Sequence, residues 1–348
     1  MTNNNAVDVM KFICAILVVI IHVPPLFSYN ETANFILVDI ISRMAVPFFF
    51  VCAGYFLFNK IDFKNEKIEK STNNSNLFKR YIKHLIIIYI FWTLFYLLWW
   101  IPSWYYGGYL TLANIKGYVL SIFLNGSYYH LWYIVSLIYG LLFTFLLLRF
   151  VRIKIVIITA VIFYLIGTFA YSYTWLVSGN SFIEEVIKVY NSLGSVSVAL
   201  FRAFPYLLIG LIFSKYRMRI SSPLSALLSV ICFLLIGLEV WLLNFFGVSS
   251  RFSNVFFTGV TVFLIFSTAI NIKLKDNMLY PFLRKMSSII YFIHPMFINI
   301  NGLFLLHYFS SKNSLILFST VLVFVMFFSV GLIKLSQTPN LNKLKSLY

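Results

Sequence analysis

Apolar runs of about 20 residues recur from residue 7 to residue 335, each broken by a short polar or Gly/Pro-bearing stretch. Ten of them stand out, over 7–27, 35–58, 81–104, 131–150, 153–172, 198–214, 222–246, 253–271, 285–307 and 312–335. A helix rises about 1.5 Å per residue, so each run is close to what a hydrocarbon core about 30 Å thick requires. In lipid every backbone N–H and C=O must be satisfied internally, and runs that are apolar on all sides do this as helices rather than as alternating barrel strands. The pattern predicts an all-α, polytopic integral membrane protein of about ten transmembrane helices, in a single membrane domain covering residues 1–348. Residues 61–80 (IDFKNEKIEKSTNNSNLFKR) form a charged connector, and 105–129 and 173–197 are the two long connectors of the opposite side. The stretch 110–126 is apolar enough to suggest a further span, but another crossing there would reverse every later connector. It is expected to be a membrane-surface or re-entrant element.

Composition sharpens this picture. Hydrophobic residues make up 61% of the chain and charged ones only 11%, with 39 Phe and 23 Tyr, more apolar bulk than one soluble core can hide. The net charge of +17 invites a nucleic-acid reading until its placement is considered. With the N-terminus inside, 21 of the 27 basic residues fall on the inner side, from Lys11 through the seven between Lys60 and Lys83 to Lys343 and Lys345. The outer side receives only Lys116, Lys188, Arg251 and Lys312. That bias predicts cytoplasmic N- and C-termini and an affinity for the bilayer's anionic lipid, and it removes any need for a nucleic-acid partner. Cys14, Cys52 and Cys232 all fall within spans, so no outer disulfide framework is implied. The first span lacks a small-residue cleavage site and is expected to remain as an anchor.

Two basic residues, Arg43 and Arg202, lie well inside spans, where charge is costly and commonly faces a cavity, a partner or a substrate. The topology sets both in the outer halves of their spans, with His22 and His130 near the same level. Glu184 and Glu185 occupy the longest outer connector. Together they outline a candidate outward-facing cavity, although Arg43 with Glu184 or Glu185 would also serve as a purely architectural pair. Lys11 and His22 are 11 residues apart, about three turns, so they share a helix face about 16 Å long. Asp8 is placed to pair with Lys11. Such a stripe suits a reaction whose donor comes from inside and whose acceptor waits outside, and it suits a permeation path equally well.

The run DVMKFICAILVVIIH, Asp8 to His22, resembles the first helix of the membrane-bound acyltransferase family 3, where an Asp-x-x-Arg pair is followed eleven residues later by His. Lys11 stands where that family carries arginine. RMAVPFFFVCAGYFLF, Arg43 to Phe58, is similar to the family's second helix, with Ala53 in place of serine. HLWYI (His130 to Ile134), FPYLLIGLIF (Phe204 to Phe213) and SSIIYFIHPMFI (Ser287 to Ile298) continue the resemblance in order along nearly the whole chain. The RMAVPFFF and HLWY forms look closest to the branch containing the membrane domain of vancomycin-resistance serine racemases, regarded as a serine uptake module.

The resemblance implies transfer of an acyl group, often acetyl, from cytoplasmic acyl-CoA to a hydroxyl of an extracellular glycan, lipid-linked saccharide or cell-wall acceptor at a bacterial plasma membrane. Imidazole suits the removal of a hydroxyl proton near neutral pH, and the tetrahedral oxyanion needs fixed donors. His22 is then the candidate base or acyl relay, with Lys11 and Asp8 on the donor side. Arg43, Arg202, His130, Trp132, Tyr291, His294 and Glu184 are the candidate substrate-binding residues. The histidines show no paired metal-ligand spacing, so no metal is expected. The alternative from another class is an uptake transporter for a small polar, serine-like solute, and a third is an inactive relative acting as a partner subunit.

Overall fold

The computed structural model describes residues 4–174, 179–218, 220–247, 254–308 and 313–348, with the side chains of Phe182 and residues 301–308 excluded. Arg251 and Lys312, used above to orient the chain, lie outside the described residues, as does Arg219, one of the 21 inner-side basic residues.

Every predicted span is met by a helix. Numbered as spans 1 to 10 they are Asn5–His22, Glu31–Phe58, Thr72–Tyr106, Trp132–Phe150, Ile153–Ser172, Ser195–Tyr216, Ser222–Phe245, Phe256–Asn271, Leu279–Tyr308 and Ser314–Leu335. Among the described residues eight are long and apolar enough to cross a membrane by length and composition alone; span 8 is a shorter apolar helix, and span 9 is a continuous 30-residue helix with Pro295 inside it. The chain is an all-α polytopic membrane protein. Span 3 begins at Thr72, inside the stretch expected to be a connector, because the Ser71 side chain accepts from the Asn74 N–H and caps it there. The rest of that connector is a two-residue hairpin, Phe63–Lys64 with Lys67–Ile68.

The described chain forms two compact units. The first comprises residues 1–52 and 217–346 with Tyr348. In it span 1 lies along span 9, span 9 along span 10, and span 7 along span 8. The second comprises residues 53–216 with Leu347. Here span 6 packs against spans 4 and 5, and span 3 against span 4. The segment 110–126 is the helix Leu112–Leu124, held by Tyr89 and Tyr139, whose hydroxyls donate to the Ile122 and Phe123 carbonyls.

Spans 2 and 6 are irregular in the same way. Ile36–Ile41 is π-helical and Ser42–Met44 is 3-10, before α-helix resumes at Ala45. In span 6, Ala199–Ala203 is π-helical and α-helix resumes at Phe204. Each irregular turn is followed by a proline, Pro47 or Pro205, in the first turn of the new α segment. Proline has no N–H to give to the carbonyl four residues back and clashes with it, so the preceding turn widens or tightens. Both intramembrane arginines, Arg43 and Arg202, sit on these turns.

Candidate functional site

In the first unit, spans 1 and 9 run side by side in the same direction and are joined at two levels by polar side chains. At the N-terminal level Asp8, only 1% exposed, pairs through Oδ2 with Arg284 Nη1 at 3.3 Å. Lys11 contributes a second positive charge near Asp8. The sequence pointed to Lys11 as the partner of Asp8, and its charge does act on that carboxylate; Arg284, a turn before the SSIIYFIHP motif, adds a hydrogen-bonded ion pair.

At the C-terminal level the His22 and His294 rings stack, with centroids 5.2 Å apart and planes 28° apart. His22 closes span 1 because Pro24 disfavours helical geometry at Val23, which leaves the helical region at φ −134° and ψ 80°. Its ring is exposed, whereas His294 is fully buried. His294 Nδ1 lies 2.8 Å from the Tyr291 carbonyl oxygen and 3.1 Å from that of Ile290. A carbonyl only accepts, so Nδ1 carries the proton and the neutral ring keeps Nε2 as its acceptor atom. Tyr291 is buried, with its ring against the edge of Phe49 at 6.5 Å.

Arg43 interacts electrostatically with His22. Its own hydrogen bonds run to Asp39, one turn earlier: Nε and Nη2 donate to Oδ1 at 3.2 and 2.8 Å. Between the two levels Cys14 and Cys52 are buried as free thiols. The first unit thus gathers Asp8, Lys11, His22, Arg43, Tyr291 and His294 of the expected residues, and adds Asp39 and Arg284.

The remaining candidates belong to the second unit. His130 is buried among Tyr96, Tyr128 and Tyr129, whose ring centroids lie 5.1–5.7 Å away. Trp132, half-buried, opens span 4 two residues later. Tyr171 covers one face of the Arg202 guanidinium at 3.9 Å from ring centroid to Cζ. Glu184 is exposed and accepts from the Gly179 N–H at 3.1 Å, while Glu185 pairs with Lys188. Among the described residues no three His, Cys, Asp or Glu side chains converge as metal ligands would.

A family model described as an acyltransferase domain matches residues 4–334. The chain belongs to the acyltransferase 3 family. Among curated proteins it is similar to two amino-acid racemases of Enterococcus faecalis. One is 36% identical over 185 residues, 52% of this chain and 24% of the relative. The other is 30% identical over 164 residues, 47% of this chain and 22% of the relative. A serine/alanine racemase of Enterococcus gallinarum is 27% identical over 331 residues, 93% of this chain and 45% of the relative. The chain therefore spans less than half the length of these relatives. No solved structure matches it.

Proposed function

We propose that this acyltransferase-family member moves an acyl group, such as acetyl, from cytoplasmic acyl-CoA to a hydroxyl of an extracellular glycan, lipid-linked saccharide or cell-wall acceptor at a bacterial plasma membrane. The observation that carries the reading is the stacked pair of an exposed His22 and a buried, backbone-anchored His294. A hydroxyl becomes a competent nucleophile only as its proton leaves, and an accessible imidazole held in one orientation supplies that base. In this mechanism His22 takes the proton while the hydroxyl oxygen bonds to the thioester carbonyl carbon. The tetrahedral oxyanion collapses, the C–S bond breaks, and the CoA thiolate leaves with the proton returned by His22. Arg43, near His22, supplies positive charge to the oxyanion. Lys11 and Arg284, at the other end of the same helix pair, attract the CoA phosphates.

The test is acetyl-CoA turnover by the purified protein in nanodiscs, wild type against His22→Ala, with monodispersity checked in both. Turnover lost with the fold retained supports the reading. A second reading is uptake of a small polar solute such as serine. It is favoured by the Enterococcus gallinarum relative, named for serine and alanine, which matches along 93% of this chain. A folded wild type that neither binds nor turns over acyl-CoA of several chain lengths, yet takes up labelled serine in liposomes, would select it.

A further inference from the structure

Arg43 and Arg202 offer a comparison within one molecule. The side-on edge of a guanidinium, Nε–H with one Nη2–H, presents two parallel donors at the spacing of a carboxylate. In Arg43 that edge is filled by Asp39. In Arg202 the same two atoms, Nε and Nη2, are buried and have no hydrogen-bond partner. Two hydroxyls close by share this state. Tyr190, 7% exposed, and Tyr206, 1% exposed, both feel the Arg202 charge; the Tyr190 hydroxyl is directed at Arg202 and that of Tyr206 at Tyr164, but neither contact reaches ordinary hydrogen-bond geometry. Buried donors left unmade each cost about 1–3 kcal/mol, and more when charged. A guanidinium edge left unfilled beside two poorly satisfied hydroxyls is not what an architectural arginine shows.

Among the described residues no acid of the second unit fills the gap. Glu66 is paired with Lys154, Glu185 with Lys188, and Glu184 with the Gly179 N–H, while Asp62 and Glu69 flank the short hairpin before span 3. Tyr171 meanwhile holds the guanidinium by its face, so the edge is fixed before any ligand arrives.

We propose that Arg202, Tyr190 and Tyr206 form a carboxylate-binding subsite that takes the carboxylate of a small organic ligand edge-on. Nε–H and Nη2–H donate to its two oxygens, and the tyrosine hydroxyls donate to the outer lone pairs. One guanidinium and two neutral hydroxyls balance a single negative charge. A phosphate dianion would leave an uncompensated charge in a low-dielectric setting. The inference goes beyond the proposed function and does not depend on it, since binding needs no acyl donor.

The experiment is calorimetric titration of the full chain in nanodiscs with L-serine, L-serinamide and inorganic phosphate, for wild type, Arg202→Lys, Tyr190→Phe and Tyr206→Phe. Arg202→Lys keeps the charge and loses the fork, so it separates edge recognition from simple attraction. The expected result is L-serine binding that weakens about 10-fold or more with L-serinamide and in Arg202→Lys, and several-fold in each Phe variant. Equal affinity for serine and serinamide, unchanged binding in a monodisperse Arg202→Lys, or tighter binding of phosphate would overturn it. So would a wild type that binds none of L-serine, L-alanine, lactate or acetate. Serine binding retained in a turnover-dead His22→Ala keeps the subsite and the base separate. Acetyl-CoA turnover in a wild type indifferent to carboxylates removes the subsite alone.

Discussion

His294 lies directly behind His22, the two rings stacked at 5.2 Å, and only His22 is open to a ligand. The inner ring is fixed by two backbone carbonyls, so it works as a wall that sets the plane of the outer one. His22→Ala is expected to lower acetyl-CoA turnover about 100-fold or more, the range for losing a general base. His294→Phe keeps the stack and removes the nitrogens, and about a 10-fold loss in kcat with little change in KM is expected if orientation is its role. Wild-type kinetics in His294→Phe would reduce the inner ring to packing.

Arg284→Ala should destabilise the protein by about 1–3 kcal/mol, since it removes the ion-pair partner of a carboxylate that is 1% exposed. The figure sits below that for a fully buried pair because the Arg284 side chain is 36% exposed. Asp8→Asn combined with Arg284→Ala in a thermal double-mutant cycle should recover part of the loss. Strict additivity would mean that the pair is not coupled.

Glu239, buried in span 7, accepts from the Phe256 and Phe257 N–H groups at 2.7 and 3.2 Å and so caps span 8. Replacing it with Ala leaves two helix-end donors without that acceptor, at about 1–3 kcal/mol. Glu239→Gln keeps one acceptor oxygen and should lose less. Hydrogen exchange at residues 256–259 locates the effect; protection unchanged in Glu239→Ala would deny the cap.

Burial pushes the Tyr190 hydroxyl above its ordinary range, with the Arg202 charge working against the shift and Tyr171 reinforcing it. A phenol raised from about 10 stays protonated across the working range. L-serine binding should therefore be flat from about pH 6 to about pH 8.5, with the donors lost only above the raised value. A binding midpoint inside that window would show that another group controls the site.

Much of this was legible in the residues. Twenty-residue apolar runs leave few alternatives to helices, and each of the ten runs is met by one. The stripe from Asp8 to His22 follows from helical periodicity alone. What escaped was pairing. Asp39 and Glu239 are single acids inside aliphatic runs, and an average over a span hides them, although an acid in lipid is as informative as a base. Arg43 drew attention to Glu184 and Glu185, but its partner is local, one turn back on the same helix. Arg284 reads as one more inner-side cation until span 9 lies against span 1. The unfilled edge of Arg202 is a property of packing, and no sequence pattern announces it.

Span 8 has 16 residues, about 24 Å of helix, where the hydrocarbon core is about 30 Å thick. Its cap, Glu239, lies six residues short of the end of span 7 at Phe245, about 9 Å back along that helix. Hydrophobic mismatch of this kind is relieved by thinning of the bilayer, by snorkelling of flanking residues or by association with other helices. A span this short is expected to draw the lipid beside it thinner, so bilayer thickness should bear on how well spans 7 and 8 fit their surroundings.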